Sequence, residues 1–190
     1  SDTTGVGTAR SALAAARYGT QTAIFAYGFT GSVTNLSNLV SSSGVIAADV
    51  TGVGTAIQYS GAAEYGGISS RKAFFVYGQN SGNANVSFNN LVNTSGVVAA
   101  DVTGVGTARR DGDATGYGTD KAIYAYGYVS GWVSMSNLVS NTGVVASDVT
   151  GVGTARAGQR GASYGDDKAI FAYGSSGAGN LSMSNLVSSS

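Results

Sequence analysis

The side chains here that could do chemistry are carboxylates, guanidinium and ammonium groups, and aromatic rings, because the chain has no His and no Cys. Without His, the usual general base, the commonest metal ligand and the Ser–His–Asp arrangement are excluded together. Without Cys, so are thiolate catalysis, disulfides and Cys-based zinc sites. Asp111 and Asp113 form a carboxylate pair of the type used in glycoside hydrolysis, but nothing in the sequence sets a second pair opposite it. Asp111–Gly116 opens like a calcium loop, yet its twelfth position is Ala122 rather than a bidentate Glu. Gly-Val-Gly-Thr-Ala-Arg lacks the third Gly of a dinucleotide fingerprint and recurs along the chain. No metal, no cofactor and no catalytic residue are therefore expected. Binding remains. Its candidates are Tyr59, Arg110, Asp111, Asp113, Tyr128, Trp132, Gln159 and Arg160, a mixture suited to stacking on a sugar face while hydrogen-bonding its hydroxyls.

What must position these residues is a repeat. Thr-Gly-Val-Gly-Thr-Ala starts at Thr4, Thr51, Thr103 and Thr150, at intervals of 47, 52 and 47 residues. Ala-Ile-Phe-Ala-Tyr-Gly at Ala23 and Ala169 keeps the same beat, with close variants at Ala73 and Ala122. Asn38, Asn90 and Asn137 each stand eleven residues before an aspartate, Asp49, Asp101 and Asp148. A fixed period of this size marks a repeat architecture, here a single domain over 1–190 with repeats near 1–48, 49–100, 101–147 and 148–190.

Short β-compatible runs punctuated by Gly, Asn, Asp and Ser predict an all-β fold. Ser11–Arg17 has local helical character, but its counterparts in the other repeats cannot be helical, so it too is read as a strand. The middle run is apolar on both faces, as for a strand sandwiched between neighbouring sheets. Four strands in about 47 residues is the size of one propeller blade. The expectation is a four-bladed β-propeller, its last blade shared between the termini. Closure of the ring within one chain is preferred over pairing of open ends between chains.

Positions common to the repeats are expected to be architectural. Asp2, Asp49, Asp101 and Asp148 are read as Asx turns, and Arg10, Arg109 and Arg156 as partners of carbonyls or of those aspartates. The eight binding candidates lie instead in two stretches where the repeats diverge, and loops on a rigid scaffold carry binding.

In its order of motifs the chain resembles the kelch propellers: Thr154–Arg156, a small-residue strand over Ala157–Tyr164, Asp166–Gly174, then Ser184–Val187. Tyr-Gly replaces the family's Gly pair, the inter-blade Trp is missing and Ile57 replaces Arg in the second repeat. The wording of the repeats also resembles that of tail and appendage proteins of environmental bacteriophages. That resemblance implies a virion or extracellular location, with other virion subunits or copies of itself as partners, and a host surface glycan as ligand. The implied function is non-enzymatic adhesion; the alternative is a structural filament assembling through its terminal repeats.

Charged residues are 11% of the chain and the formal net charge is zero, so no nucleic-acid partner is expected. No apolar run approaches the roughly 18 residues of a membrane span. The opening Ser-Asp-Thr-Thr has neither the charged nor the apolar region of a secretion signal.

Overall fold

A computed structural model describes residues 5–189. The fold is all-β: each repeat builds one three-stranded antiparallel sheet, and the second and fourth repeats each add a separate two-stranded one. The first holds β1 (Ala14–Tyr18), β2 (Thr22–Ala26) and β3 (Ser37–Val40). The second repeat carries β4 (Ile57–Gln58), β5 (Gly61–Tyr65), β6 (Lys72–Val76), β7 (Gln79–Asn80) and β8 (Asn89–Val92); β5, β6 and β8 form its three-stranded sheet, and β4 pairs with β7 apart from it. The third is β9 (Asp113–Tyr117), β10 (Lys121–Tyr128) and β11 (Trp132–Val139). The fourth is β12 (Arg160–Tyr164), β13 (Lys168–Ala172), the small hairpin β14 (Ser175–Ser176) and β15 (Gly179–Asn180), and β16 (Ser184–Val187).

The register repeats with the sequence. Ala16 pairs with Ile24 and Ile24 with Leu39; Ala63, Phe74 and Leu91 stand in the same relation, as do Thr115, Ile123 and Leu138. Ser11–Arg17, despite its local helical character, contributes Ala14 to Arg17 to β1. A fourth strand per sheet, expected from the blade analogy, is only partly formed. Val50 bridges Ser37 and Ile46 bridges Val40, and the second and third sheets repeat both bridges. These segments lie along the edge as isolated bridges rather than as full strands.

Sheets stack in chain order, first strand against first strand. Small residues there allow close approach: a Cβ on Gly61 would lie 2.5 Å from the Tyr124 ring. Three backbone ladders tie each sheet to the next. Gly28, Gly78 and Gly127 donate to the carbonyls of Ile57, Arg109 and Arg156. Gly19, Gly66 and Gly118 donate to Arg71, Asp120 and Asp167. Tyr59, Asp111 and Gly158 donate to Ala12, Tyr59 and Asp111.

The core lies between the sheets, not inside any of them. Ile24, Ala26 and Tyr27 of the first sheet meet Ala73 and Phe75 of the second. Phe74, Val76 and Tyr77 then meet Ala122 and Tyr124 of the third, and Ile123, Ala125 and Tyr126 meet Phe171 of the fourth. Middle strands β6 and β10 are thus buried on both faces, as their sequences predict. Each Tyr of Tyr-Gly is left-handed (φ 64, 57, 62 and 63 at Tyr27, Tyr77, Tyr126 and Tyr173). That conformation costs roughly 1–3 kcal/mol, and the rings of Tyr27, Tyr77 and Tyr126 lie in the interface with the next sheet.

No closed ring is found among the described residues. The outward faces of the end sheets lack partners: Phe25 and Ala23 on the first are only partly buried, as are Ile170 and Ala172 on the fourth. Tyr27, Tyr77 and Tyr126 are at most 3% exposed, whereas Tyr173 is 66% exposed and Leu186 69%. A fourth sheet closing onto the first would have covered them. Among the described residues no helix is long and apolar enough to cross a membrane.

Candidate functional site

Asp49, Asp101 and Asp148, read from the sequence as local Asx turns, each reach back across a whole repeat instead. Asp148 accepts from the Thr107 N–H (3.0 Å) and Oγ1 (2.7 Å), residues 41 positions earlier, and from Asn137 Nδ2 (2.9 Å). Asp49 is held the same way by Thr8 and Asn38, and Asp101 by Thr55 and Asn90. Arg10 and Arg109 add an ion pair at 3.7 and 3.6 Å. The carboxylate therefore closes each repeat by tying its last segment to its first.

The glycines of the repeated motif make room for this latch. A Cβ on Gly104 would lie 2.0 Å from the Ser87 carbonyl oxygen; one on Gly106 (φ +87) would lie 2.5 Å from Asp148 Oδ1. Hydrogen bonds from Thr8 and Asn38 hold the Asp49 carboxyl below the ordinary carboxylate range. Burial pushes the Asp148 carboxyl up, but Thr107, Asn137 and the Arg109 charge outweigh it and hold that group low as well. Asp2 lies outside the described residues.

Arg109 and Arg156 are fully buried between sheets. Arg109 sits over the Tyr77 and Tyr124 rings at 4.4 and 4.7 Å, and Arg156 over Tyr126 at 3.8 Å. Such stacking suits the weakly hydrated guanidinium.

Of the eight binding candidates, four converge. Arg110 lies 4.9 Å over the Tyr128 ring and pairs with Asp111 at 3.2 Å. Tyr128 meets Trp132 edge to face at 5.5 Å, and Trp132 is 41% exposed. Asn85, a residue the sequence reading missed, accepts from Arg110 (3.1 Å) and donates to the Tyr128 and Val129 carbonyls. This cluster sits at the end of the third sheet away from its β9–β10 turn. Trp132 also lines an open groove of about 430 Å³ with Ser134, Thr150 and Gly151.

The other four have separate duties. Asp113 accepts from the Gly161 N–H (2.8 Å) and so ties the third sheet to the fourth. Buried Gln159 does likewise through the Ala125 carbonyl (3.0 Å). Burial pushes the carboxyls of both Asp111 and Asp113 up, with Arg110, Arg160 and backbone N–H groups opposing it. Since Asp111 faces Arg110 and Asp113 faces Gly161, they do not present a facing carboxylate pair. Tyr59 is exposed and touches Asp111 through its backbone carbonyl; Arg160 is exposed beside the two aspartates.

A second cleft, of about 270 Å³, was not anticipated. The β1–β2, β5–β6, β9–β10 and β12–β13 ends of the four sheets line it, with Arg17, Glu64, Arg71, Tyr117, Lys121 and Tyr164 among its walls. Glu64 lies 3.8 Å from Arg17 and 3.3 Å from Arg71, so its charge is already matched. A signal for the cleft was present: Arg17 and Glu64 hold the same repeat position with opposite charges. Among the described residues no cluster of His, Cys, Asp or Glu could hold a metal ion.

No protein-family model matches this chain, and no curated protein is significantly similar to it. Its geometry alone must carry the functional reading.

Proposed function

We propose that this chain is a non-enzymatic structural module that assembles end to end, as part of an extracellular or virion appendage such as a tail fibre. Its sheets act as blades of a propeller-like, kelch-like array that stays open. The observation that carries this reading is the complementarity of the two outer faces. The half-interface of the fourth sheet (Ile170, Ala172, Tyr173) is the kind that the first three sheets present forward, and that of the first sheet (Ala23, Phe25, Arg10) is the kind that later sheets present backward. Among the described residues, the N–H groups of Gly165 and Gly174 lack the carbonyl partners that their counterparts have in earlier sheets. A face of this kind joined to its complement gives a heterologous contact, which propagates when it does not close.

Light scattering behind size exclusion tests it. Mass should grow with concentration, and Tyr173→Glu, which places a charge on the exposed face, should hold the chain monomeric. A wild-type monomer at every concentration would sink the reading.

A second role is favoured by one further observation, the half-exposed Trp132 packed against Tyr128 beside Arg110 and Asn85. That platform has the chemistry to bind a host surface glycan. Trp132→Ala should abolish any signal on a glycan array while leaving thermal stability within about 1 kcal/mol; a retained signal excludes the platform.

A further inference from the structure

The cleft of about 270 Å³ at the β9–β10 end of the sheets is used neither by the end-to-end contact nor by the Trp132 platform, which lies at the other end of the third sheet. Its floor is a row. The first strands of the four sheets stack on one another, and Arg17, Glu64, Gly116 and Ser163 hold one position along them. At the third place in this row the side chain is missing, and the backbone does not demand it. Gly116 is not in the left-handed region, and a Cβ there would meet nothing nearer than 3.6 Å, an ordinary contact with Glu64. Glycine inside a strand weakens it and often marks a place that a ligand approaches closely.

The walls on either side of this low floor differ in what they offer. On the side of the first two sheets, Glu64 lies 3.8 Å from Arg17 Nε and 3.3 Å from Arg71 Nε. One carboxylate is thus shared by two guanidinium groups, and a positive charge is left over. Both arginines are engaged through Nε, and their Nη groups have no acceptor among the described residues. On the side of the fourth sheet, Tyr164 is 43% exposed, Ser163 is exposed, and the Asp166 carboxylate has no hydrogen bond or ion pair among the described residues. Between the two sides Lys121 and Asp120 add one charge of each sign, and Asn141 already holds Asp120 at 2.9 Å.

We propose that this cleft binds an acidic saccharide, with its carboxylate or sulfate group on Arg17 and Arg71 and its ring over Gly116 toward Tyr164. Guanidinium forks match the planar or tetrahedral oxygens of such an anion, and Glu64 holds both forks in place before the ligand arrives. An exposed tyrosine offers an apolar face to a sugar ring. Ser163 can donate to or accept from its hydroxyls, whereas an ionised Asp166 accepts from them. An inorganic anion would engage the first wall alone, and a neutral sugar the second alone. A sugar carrying an anion engages both. This site does not depend on the end-to-end assembly proposed above.

Anisotropy of a galacturonic acid trisaccharide, dye-labelled at its reducing end, tests the site on the full chain. Binding should saturate, and the neutral galactose trisaccharide should bind at least about tenfold more weakly, because hydrogen bonds to a charged group are lost. Arg17→Gln, at an exposed side chain, should weaken binding at least about fivefold for the same reason. Gly116→Leu, which fills the floor, should abolish it. Gly116→Ala should melt no lower than the parent chain; a lower melting point would make the glycine structural and overturn the reading of the floor. A sulfated galactose trisaccharide distinguishes the two anions, and binding of either acidic sugar supports the site.

Binding of neither acidic sugar overturns the proposal. So does equal binding of the neutral one, or displacement by inorganic sulfate at the concentration at which the acidic sugar itself displaces. Binding that survives both Arg17→Gln and Gly116→Leu puts the sugar elsewhere and overturns the cleft. Light scattering reads the assembly separately, so the failure of one proposal is distinguishable from the failure of the other.

Discussion

The first and second sheet-to-sheet interfaces solve one problem with different chemistry. Between the first two sheets Ile57 is buried with Tyr27 and Phe75, whose rings meet edge to face at 5.2 Å. Between the second and third, Arg109 takes the equivalent place, and Tyr77 and Tyr124 close to 4.7 Å at a tilt of 38°. Tyr77 donates its hydroxyl to the Val105 carbonyl; the Tyr27 hydroxyl is buried without a partner, and burial pushes its phenol up. Thr55 and Asn90 hold Asp101 without any arginine, as Thr107 and Asn137 hold Asp148 with one. The comparison teaches that this position must be filled, and that its charge is dispensable. Volume under the tyrosine is the common requirement.

The sharpest way to break that lesson is at Arg109. Arg109→Ala should cost about 3–5 kcal/mol, through the space left under two rings and the loss of the partner of Asp148. Arg109→Ile should cost less, about 1–2 kcal/mol, because it keeps the space under the rings filled and the part-exposed Asp148 keeps Thr107 and Asn137, as Asp101 keeps Thr55 and Asn90 beside Ile57. Hydrogen exchange of the β9–β11 amides measures both, since a stack of repeats can open locally. Equal losses for the two variants would mean that charge, not filling, is what the second interface needs.

A smaller contrast lies at the aspartates. Asp148→Ala should cost about 2–3 kcal/mol because it leaves a buried guanidinium without its counter-charge, whereas Asp101→Ala loses hydrogen bonds alone, about 1–2 kcal/mol. The pH dependence follows with its sign. Asp148 is held below the ordinary carboxylate range, so its stabilisation is complete above the unfolded-state value near 4 and is lost as pH falls through the lower folded value. Urea melts of Asp148→Ala should therefore show a shallower acid limb than wild type below about pH 4. An unchanged limb would place acid sensitivity elsewhere, with Asp49 and Asp167, both also held low, as the next groups to replace.

Much of this was legible in the residues. The eleven-residue interval from Asn38 to Asp49 is the span of a hydrogen bond, Asn Nδ2 to Asp Oδ1, and it is constant because the first three repeats all make that bond. The partner across the latch, Thr8 for Asp49 or Thr55 for Asp101, was hidden by its separation of 41 or 46 residues. No local pattern exposes such a contact, which is why the aspartates read as turn residues. At the candidate binding cluster, divergence between repeats singled out Arg110, Asp111, Tyr128 and Trp132. Gln159 and Asp113 diverge equally but were drawn into bonds between sheets, and Asn85 entered the cluster from the preceding repeat.

By itself the sequence determined that this chain is β, that it repeats, where each apolar middle strand runs and that small residues separate the strands. Periodicity, turn chemistry and side-chain volume act over a few residues and can be read directly. Only the tertiary structure decided which face of each sheet meets which, that Ile57 and Arg109 fill equivalent buried places, and that no ring closes among the described residues. Those outcomes depend on distances between residues roughly one repeat apart, where a small rotation per sheet separates a ring from a filament.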